Sequence, residues 1–142
     1  MTDIQAAIGR EQLRRLTPIV VRRRALADRY RTGLRGVPGL TLPQEPAWAR
    51  SNWQSFAVRV SDPMLQRPVM QRLLDQGIAT RRGVMNVHRE GAYAPGTWRE
   101  APGGLTSGEQ LQDTGIVLPL FHDLSDADQD RVIAAVIAAV AA

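Results

Sequence analysis

The chain has 142 residues, a net charge of +4, no cysteine and no lysine, so all 18 of its basic residues are arginine. That length fits one domain with a core that needs no metal or crosslink, and the missing cysteines exclude a disulfide framework and thiolate chemistry. The missing lysines exclude an internal aldimine on any side chain, because only a lysine amine holds a cofactor aldehyde as a Schiff base.

In chain order, residues 2–35 read as helical, with Thr2 as N-cap. Pro18 is expected to divide this segment into two helices. Leu13, Leu16 and Val20, then Ala27, Tyr30 and Leu34, keep a spacing of three or four and predict one apolar stripe. Gly36 and Pro38 close the segment. Residues 39–42 read as a short strand. Residues 53–60 alternate, with Phe56, Val58 and Val60 facing one way and Ser55, Ala57 and Arg59 the other, which predicts a half-buried strand. Asp62-Pro63 opens a helix that carries Leu65, Val69, Leu73 and Leu74 and stops at Gly77. Residues 78–80 read as another short strand.

Residues 81–105 hold five of the twelve glycines and two of the nine prolines. They predict a long irregular loop, and such loops tend to carry function. Thr106-x-x-Glu109 reads as a capping box that starts a short helix. An apolar run follows at residues 116–121, broken by Pro119. Ser125-x-x-Asp128 caps a last helix, whose Val132, Ile133, Val136, Ile137 and Val140 are expected to form one buried face. This order of elements predicts an α+β fold, a small mixed or antiparallel sheet with helices packed on one face.

Little in the residues supports self-contained catalysis. Ser51, Ser55 and Ser107 have no neighbouring His/Asp arrangement. There is no GxGxxG and no P-loop lysine. Two histidines without cysteine give no zinc pattern, so no metal is expected. The carboxylates between Asp123 and Asp130 are explained by helix capping. No apolar run approaches ~18 residues, and the N-terminus has no secretory pattern; with the missing cysteines this gives a cytoplasmic reading. The positive charge would suit an anionic partner, but arginine in place of every lysine reads more simply as biased codon usage. Arg14, Arg15 and Arg22–Arg24 form a basic helical patch, but Glu11 and Asp28 share it and no aromatic residues interleave for base stacking. An interface or solvated helix face is therefore read in preference to a nucleic-acid surface. His122 reads as structural and Trp53 as packing at a strand start. Trp98 reads either as a cover for a ligand or as a loop anchor.

Four stretches taken together resemble the C-terminal part of the DegT/DnrJ/StrS-type aminotransferases, pyridoxal-phosphate enzymes that aminate nucleotide-linked keto-sugars. They are MTDIQAAIGREQL, RRRALADRY, LLDQGIATRRGVMNVHREGAY and IVLPLFHDLSDADQDRVIAAV. Each is weak alone, but the four occur in the family's order over nearly the whole chain. The resemblance implies the small C-terminal domain of that fold over residues 36–142, with residues 1–35 as linking helices from a large domain. In the family, the Schiff-base lysine, the acid that pairs with the pyridine nitrogen and the phosphate-binding residues precede the position matching Met1. The resemblance therefore implies a fragment that is inactive alone, binds no pyridoxal phosphate covalently, contributes to a homodimer in the full-length enzyme, and has no nucleic-acid or membrane partner.

It also places His88 near the sugar pocket, where the family has a histidine. Arg81, Arg82 and Arg89 flank His88, and guanidinium forks suit the diphosphate of a nucleotide sugar. Arg82 departs from the family, which often has aromatic residues near that position. Two alternatives stay open at this point: a non-catalytic module that docks on a full-length homologue, and an arginine-rich nucleic-acid binder.

Overall fold

The computed structural model describes residues 1–93, 96–100 and 102–142. Positions 94, 95 and 101, part of the expected loop, lie outside them. A long helix, α1 (Asp3–Gly33), leads into a short strand, β1 (Leu40–Thr41), and then β2 (Phe56–Val60). Next come α2 (Pro63–Asp75), β3 (Arg81–Arg82) and a single 3-10 turn at Val87–Arg89. The chain continues through α3 (Thr106–Thr114), β4 (Gly115–Leu118) and α4 (Asp126–Ala141). The strands form one sheet in the order β1-β2-β4-β3, and every pairing is antiparallel. The fold is α+β, as the order of elements predicts.

Alternation in β2 decides which face is covered. Phe56, Val58 and Val60 are buried together with Ile116 and Leu118 of β4. Against them pack Ala27 and Tyr30 of α1 with Leu34 at its C-terminal cap, Val69 and Leu73 of α2, and Val132, Ala135, Val136 and Ala139 of α4. Burying these side chains supplies most of the stabilisation, at about 25 cal/mol per Å² of apolar surface. Tyr30 adds a hydrogen bond from its hydroxyl to the Pro119 carbonyl at 2.8 Å. The Phe56 ring lies between Tyr30 at 5.1 Å and Trp53 at 5.6 Å.

Pro18 does not split α1, which runs unbroken across it with a capping box between Thr2 and Gln5 at its start. Pro18 removes one backbone bond, to the carbonyl four residues back, and that stretch is exposed, so water satisfies the freed group. The apolar stripe of α1 also divides. Its second half enters the core, whereas Leu13 and Leu16 are 69% and 50% exposed. The third strand falls at Arg81–Arg82 rather than at 78–80, because Ile78 is drawn into the core as the chain leaves α2. On α4 the buried face turns toward Ala135 and Ala139, and Ile137 is left 39% exposed.

Internal bonds occupy the Arg22–Arg24 run. Arg22 binds the Leu124 carbonyl and Asp126, Arg23 the carbonyls of Trp53 and Gln54, and Arg24 that of Ser51. These bonds fasten α1 to α4 and to the segment before β2. They also hold the Trp53 backbone, which sits at φ 51, in the left-handed region.

Candidate functional site: the loop between β3 and α3

The expected loop is ordered over its first half by α3. Glu109, Gln112 and Asp113 are spaced i, i+3, i+4 and so share one helical face. That face meets the 3-10 turn. The Gln112 Oε1 accepts hydrogen bonds from the Asn86 backbone N–H at 3.0 Å and from its Nδ2 at 2.6 Å. The His88 Nε2 lies 2.9 Å from Glu109 Oε1; an ionised carboxylate only accepts, so the imidazole is the donor. Arg89 donates to Asp113 at 2.7 Å, and its Nε lies 3.4 Å from Glu109. The hydrogen bond from His88, with Arg89 beside it, holds the Glu109 carboxyl below the usual carboxylate range. The His88 side chain is only 11% exposed, and its ring lies 5.0 Å from that of Trp98.

Glu109 thus faces the loop and does not close a capping box. The residue before α3 is Leu105, which makes no side-chain capping bond.

Two glycines make the close approach feasible. A Cβ on Gly83 would come within 2.7 Å of the Leu111 carbonyl, and one on Gly115 within 2.4 Å. No side chain fits at either point, so loop and strand lie directly against the α3 backbone.

The four residues singled out from sequence do not converge. His88 and Arg89 are engaged by α3. Arg81 and Arg82 are neighbours on a strand, where successive side chains point to opposite faces. Arg81 shares the open face with Ala57 and Val117, through the register of β2, β4 and β3. Arg82 turns toward α2, where it and Arg67 line two adjoining cavities of about 330 and 310 Å³. Within the described residues, Arg81 and Arg82 each lack a carboxylate partner.

The open sheet face carries a groove of about 370 Å³, lined by Thr41, Leu42, Pro43, Ala57, Arg59 and Leu111 among others. Its size suits a small ligand. The outward set of the β2 alternation, Ala57 and Arg59, was its only trace in the sequence. Of Glu109, Gln112 and Asp113, only Glu109 was singled out in the sequence, and there as part of a cap. No group of three or more His, Cys, Asp or Glu that would hold a metal occurs among the described residues. Nor is any helix there long and apolar enough to cross a membrane.

The same antiparallel sheet packed against helices also occurs in solved aminotransferases. The chain superposes on the aminotransferase TlmJ from Streptoalloteichus hindustanus with a TM-score of 0.87 and 36% identity, over 98% of this chain and 36% of TlmJ. DesV of S. venezuelae, solved in complex with a ketimine intermediate, matches with a TM-score of 0.85 and 31% identity, over 96% of this chain and 36% of DesV. The erythromycin biosynthesis sensory transduction protein EryC1 of Saccharopolyspora erythraea is 37% identical over 94% of this chain and 36% of its own length. The profile of the DegT/DnrJ/EryC1/StrS aminotransferase family matches residues 1–137, and the chain belongs to that family. It spans about a third of the length of these relatives.

Proposed function

We propose that the chain is the small-domain portion of a pyridoxal-phosphate-dependent nucleotide-sugar aminotransferase. In this reading residues 1–35 link to a large catalytic domain, and residues 36–142 form the small domain. One observation carries it: residues 1–137 match an aminotransferase family while spanning about a third of the solved relatives. The reaction of the whole enzyme is amino transfer from an amino acid such as glutamate to a keto-sugar.

The residues of this chain do not fit a covalent pyridoxal-phosphate site. No lysine is present, and arginine, which stays protonated, forms no aldimine. In this reading the amine that holds the cofactor comes from another segment, and the chain alone is inactive. Its own contribution is shape and charge. On β3, Arg81 and Arg82 offer one guanidinium on each face of the sheet for the diphosphate, while His88 and Arg89 set the loop that follows the strand. The exposed first half of α1 carries Ile4, Ile8, Leu13 and Leu16, apolar surface for the catalytic domain, and the joined enzyme is a homodimer. The same exposed face supports a second reading, a non-catalytic module that docks on a full-length homologue. An in-frame upstream reading frame that encodes the family's lysine motif would decide for the enzyme.

The site assignment is tested by joining this chain to the N-terminal remainder of a relative and changing single residues. Arg82→Ala is expected to lower kcat/KM for the sugar substrate about tenfold or more, as the loss of a charged hydrogen bond worth ~1.5–3 kcal/mol requires. Thermal stability should stay as it was. Full activity in both Arg81→Ala and Arg82→Ala would remove these residues from the site.

A further inference from the structure

The loop after β3 is inside-out in polarity. Val84, Met85 and Val87 are 75%, 63% and 59% exposed, whereas Asn86, His88 and Arg89 turn toward α3. Its apolar side chains do not hold this segment; apart from the His88 ring against Trp98, its order rests on polar contacts to one face of α3. Of the three α3 side chains involved, only that of Gln112 is buried, at 7% exposure. Its single oxygen holds both the backbone and the side chain of Asn86.

Gln112 is itself held from behind. Gln66, on α2 and 4% exposed, donates from Nε2 to the carbonyls of Gln112 and Gly115, both at 2.8 Å. The Gln112 carbonyl lies in the last turn of α3 and has no donor within the helix, so Gln66 satisfies a group that would otherwise be buried unpaired; the Gly115 carbonyl, which also accepts the Gly83 N–H at 2.9 Å, is shared between Gln66 and the start of the loop. The two Gln66 bonds also fix the angle at which α3 meets β4, a junction so tight that only glycine fits at position 115.

We propose that Gln112 and Gln66 are positioning residues: Gln112 latches the loop in one conformation, and Gln66, which makes no described contact with the loop, sets Gln112. His88–Glu109 and Arg89–Asp113 complete the latch at its outer side. The consequence for substrate rests on the proposed site at this loop, whereas the latch itself does not. A loop preset in this way presents its groups without an ordering cost on binding.

Native-state amide hydrogen exchange on the 142-residue chain tests this without substrate. In Gln112→Met the amides of Asn86, Arg89 and Glu90 should exchange at least about tenfold faster, while those of β2 keep their rates. Gln66→Met should give the same loop-selective pattern. Glu109→Ala should loosen the turn, and Glu109→Gln, whose amide oxygen still accepts from His88, should restore it. If Gln66→Met does not fold, Gln66→Asn, which shortens the reach by one methylene, carries the same expectation. Unchanged loop rates in Gln112→Met would overturn the latch. Equal acceleration of loop and β2 in the Gln66 variants would show general support of the core and overturn that residue's role. Either result leaves the substrate assignment standing, and a loop that meets no substrate leaves the exchange result standing.

Discussion

The first helix makes a quantitative demand. Phe56 is fully buried and in contact with the rings of Tyr30 and Trp53, and Tyr30 belongs to the second half of α1. Truncation of a buried Phe to Ala costs about 3–5 kcal/mol, and each aromatic pair lost adds ~0.5–1.5 kcal/mol. Phe56→Ala is therefore expected near the top of that range, a large share of the ~5–15 kcal/mol typical of a domain. Leu13 has the same hydrophobic character but is 69% exposed. Leu13→Ala should change the stability of the isolated chain by no more than about 0.5 kcal/mol. Urea unfolding, followed by tryptophan fluorescence and far-UV circular dichroism, gives both values from midpoints at constant slope. A loss above ~2 kcal/mol for Leu13→Ala would mean that the first half of α1 packs on this domain. The exposed face would then not be free for a catalytic domain.

Three further outcomes follow from the geometry. Glu109 and Asp126 are held below their ordinary values by His88 and Arg22 respectively, so they stabilise the fold above the unfolded carboxylate range, and that contribution is lost as pH falls through their folded-state values. In thermal melts taken at successively lower pH, the gap between the wild-type chain and Glu109→Gln should therefore shrink in acid; a gap that widens contradicts the pairing. Gly115→Ala would drive a methyl group into the Leu111 carbonyl and should destabilise by about 1–3 kcal/mol, measured by the same urea unfolding, whereas Gly9→Ala, in open space, should not. Borohydride reduction after incubation with pyridoxal phosphate, followed by mass mapping, should find no adduct on any internal residue, because no lysine is present.

The fold was legible where one local signal acted alone. Alternation at Phe56, Val58 and Val60 gave the covered sheet face, and Asp62-Pro63 and Ser125 gave two helix starts that the structure keeps. It was obscured where tertiary context overrode a local rule. Pro18 breaks helices in general, yet α1 continues because the missing bond lies at an exposed turn. Periodicity marks Leu13 and Tyr30 alike, since it reports an apolar face and not what covers it. At the loop, His88 and Arg89 stood out by residue type. Their partners Glu109 and Asp113 lie twenty or more residues away, and Thr106-x-x-Glu109 offered a local explanation that concealed the contact. That Arg81 and Arg82 face apart was readable only once residues 81–82 proved to be a strand.

In the proposed reading this chain completes an aminotransferase and does not act alone. The most direct measurement is transaminase turnover of a nucleotide-linked keto-sugar with glutamate and pyridoxal phosphate. It is run with the chain alone, with the N-terminal remainder of a relative such as TlmJ alone, and with the two joined. Turnover is expected only in the joined protein. Turnover by the chain alone, or a well-folded joined protein that binds pyridoxal phosphate but does not turn over, would contradict it.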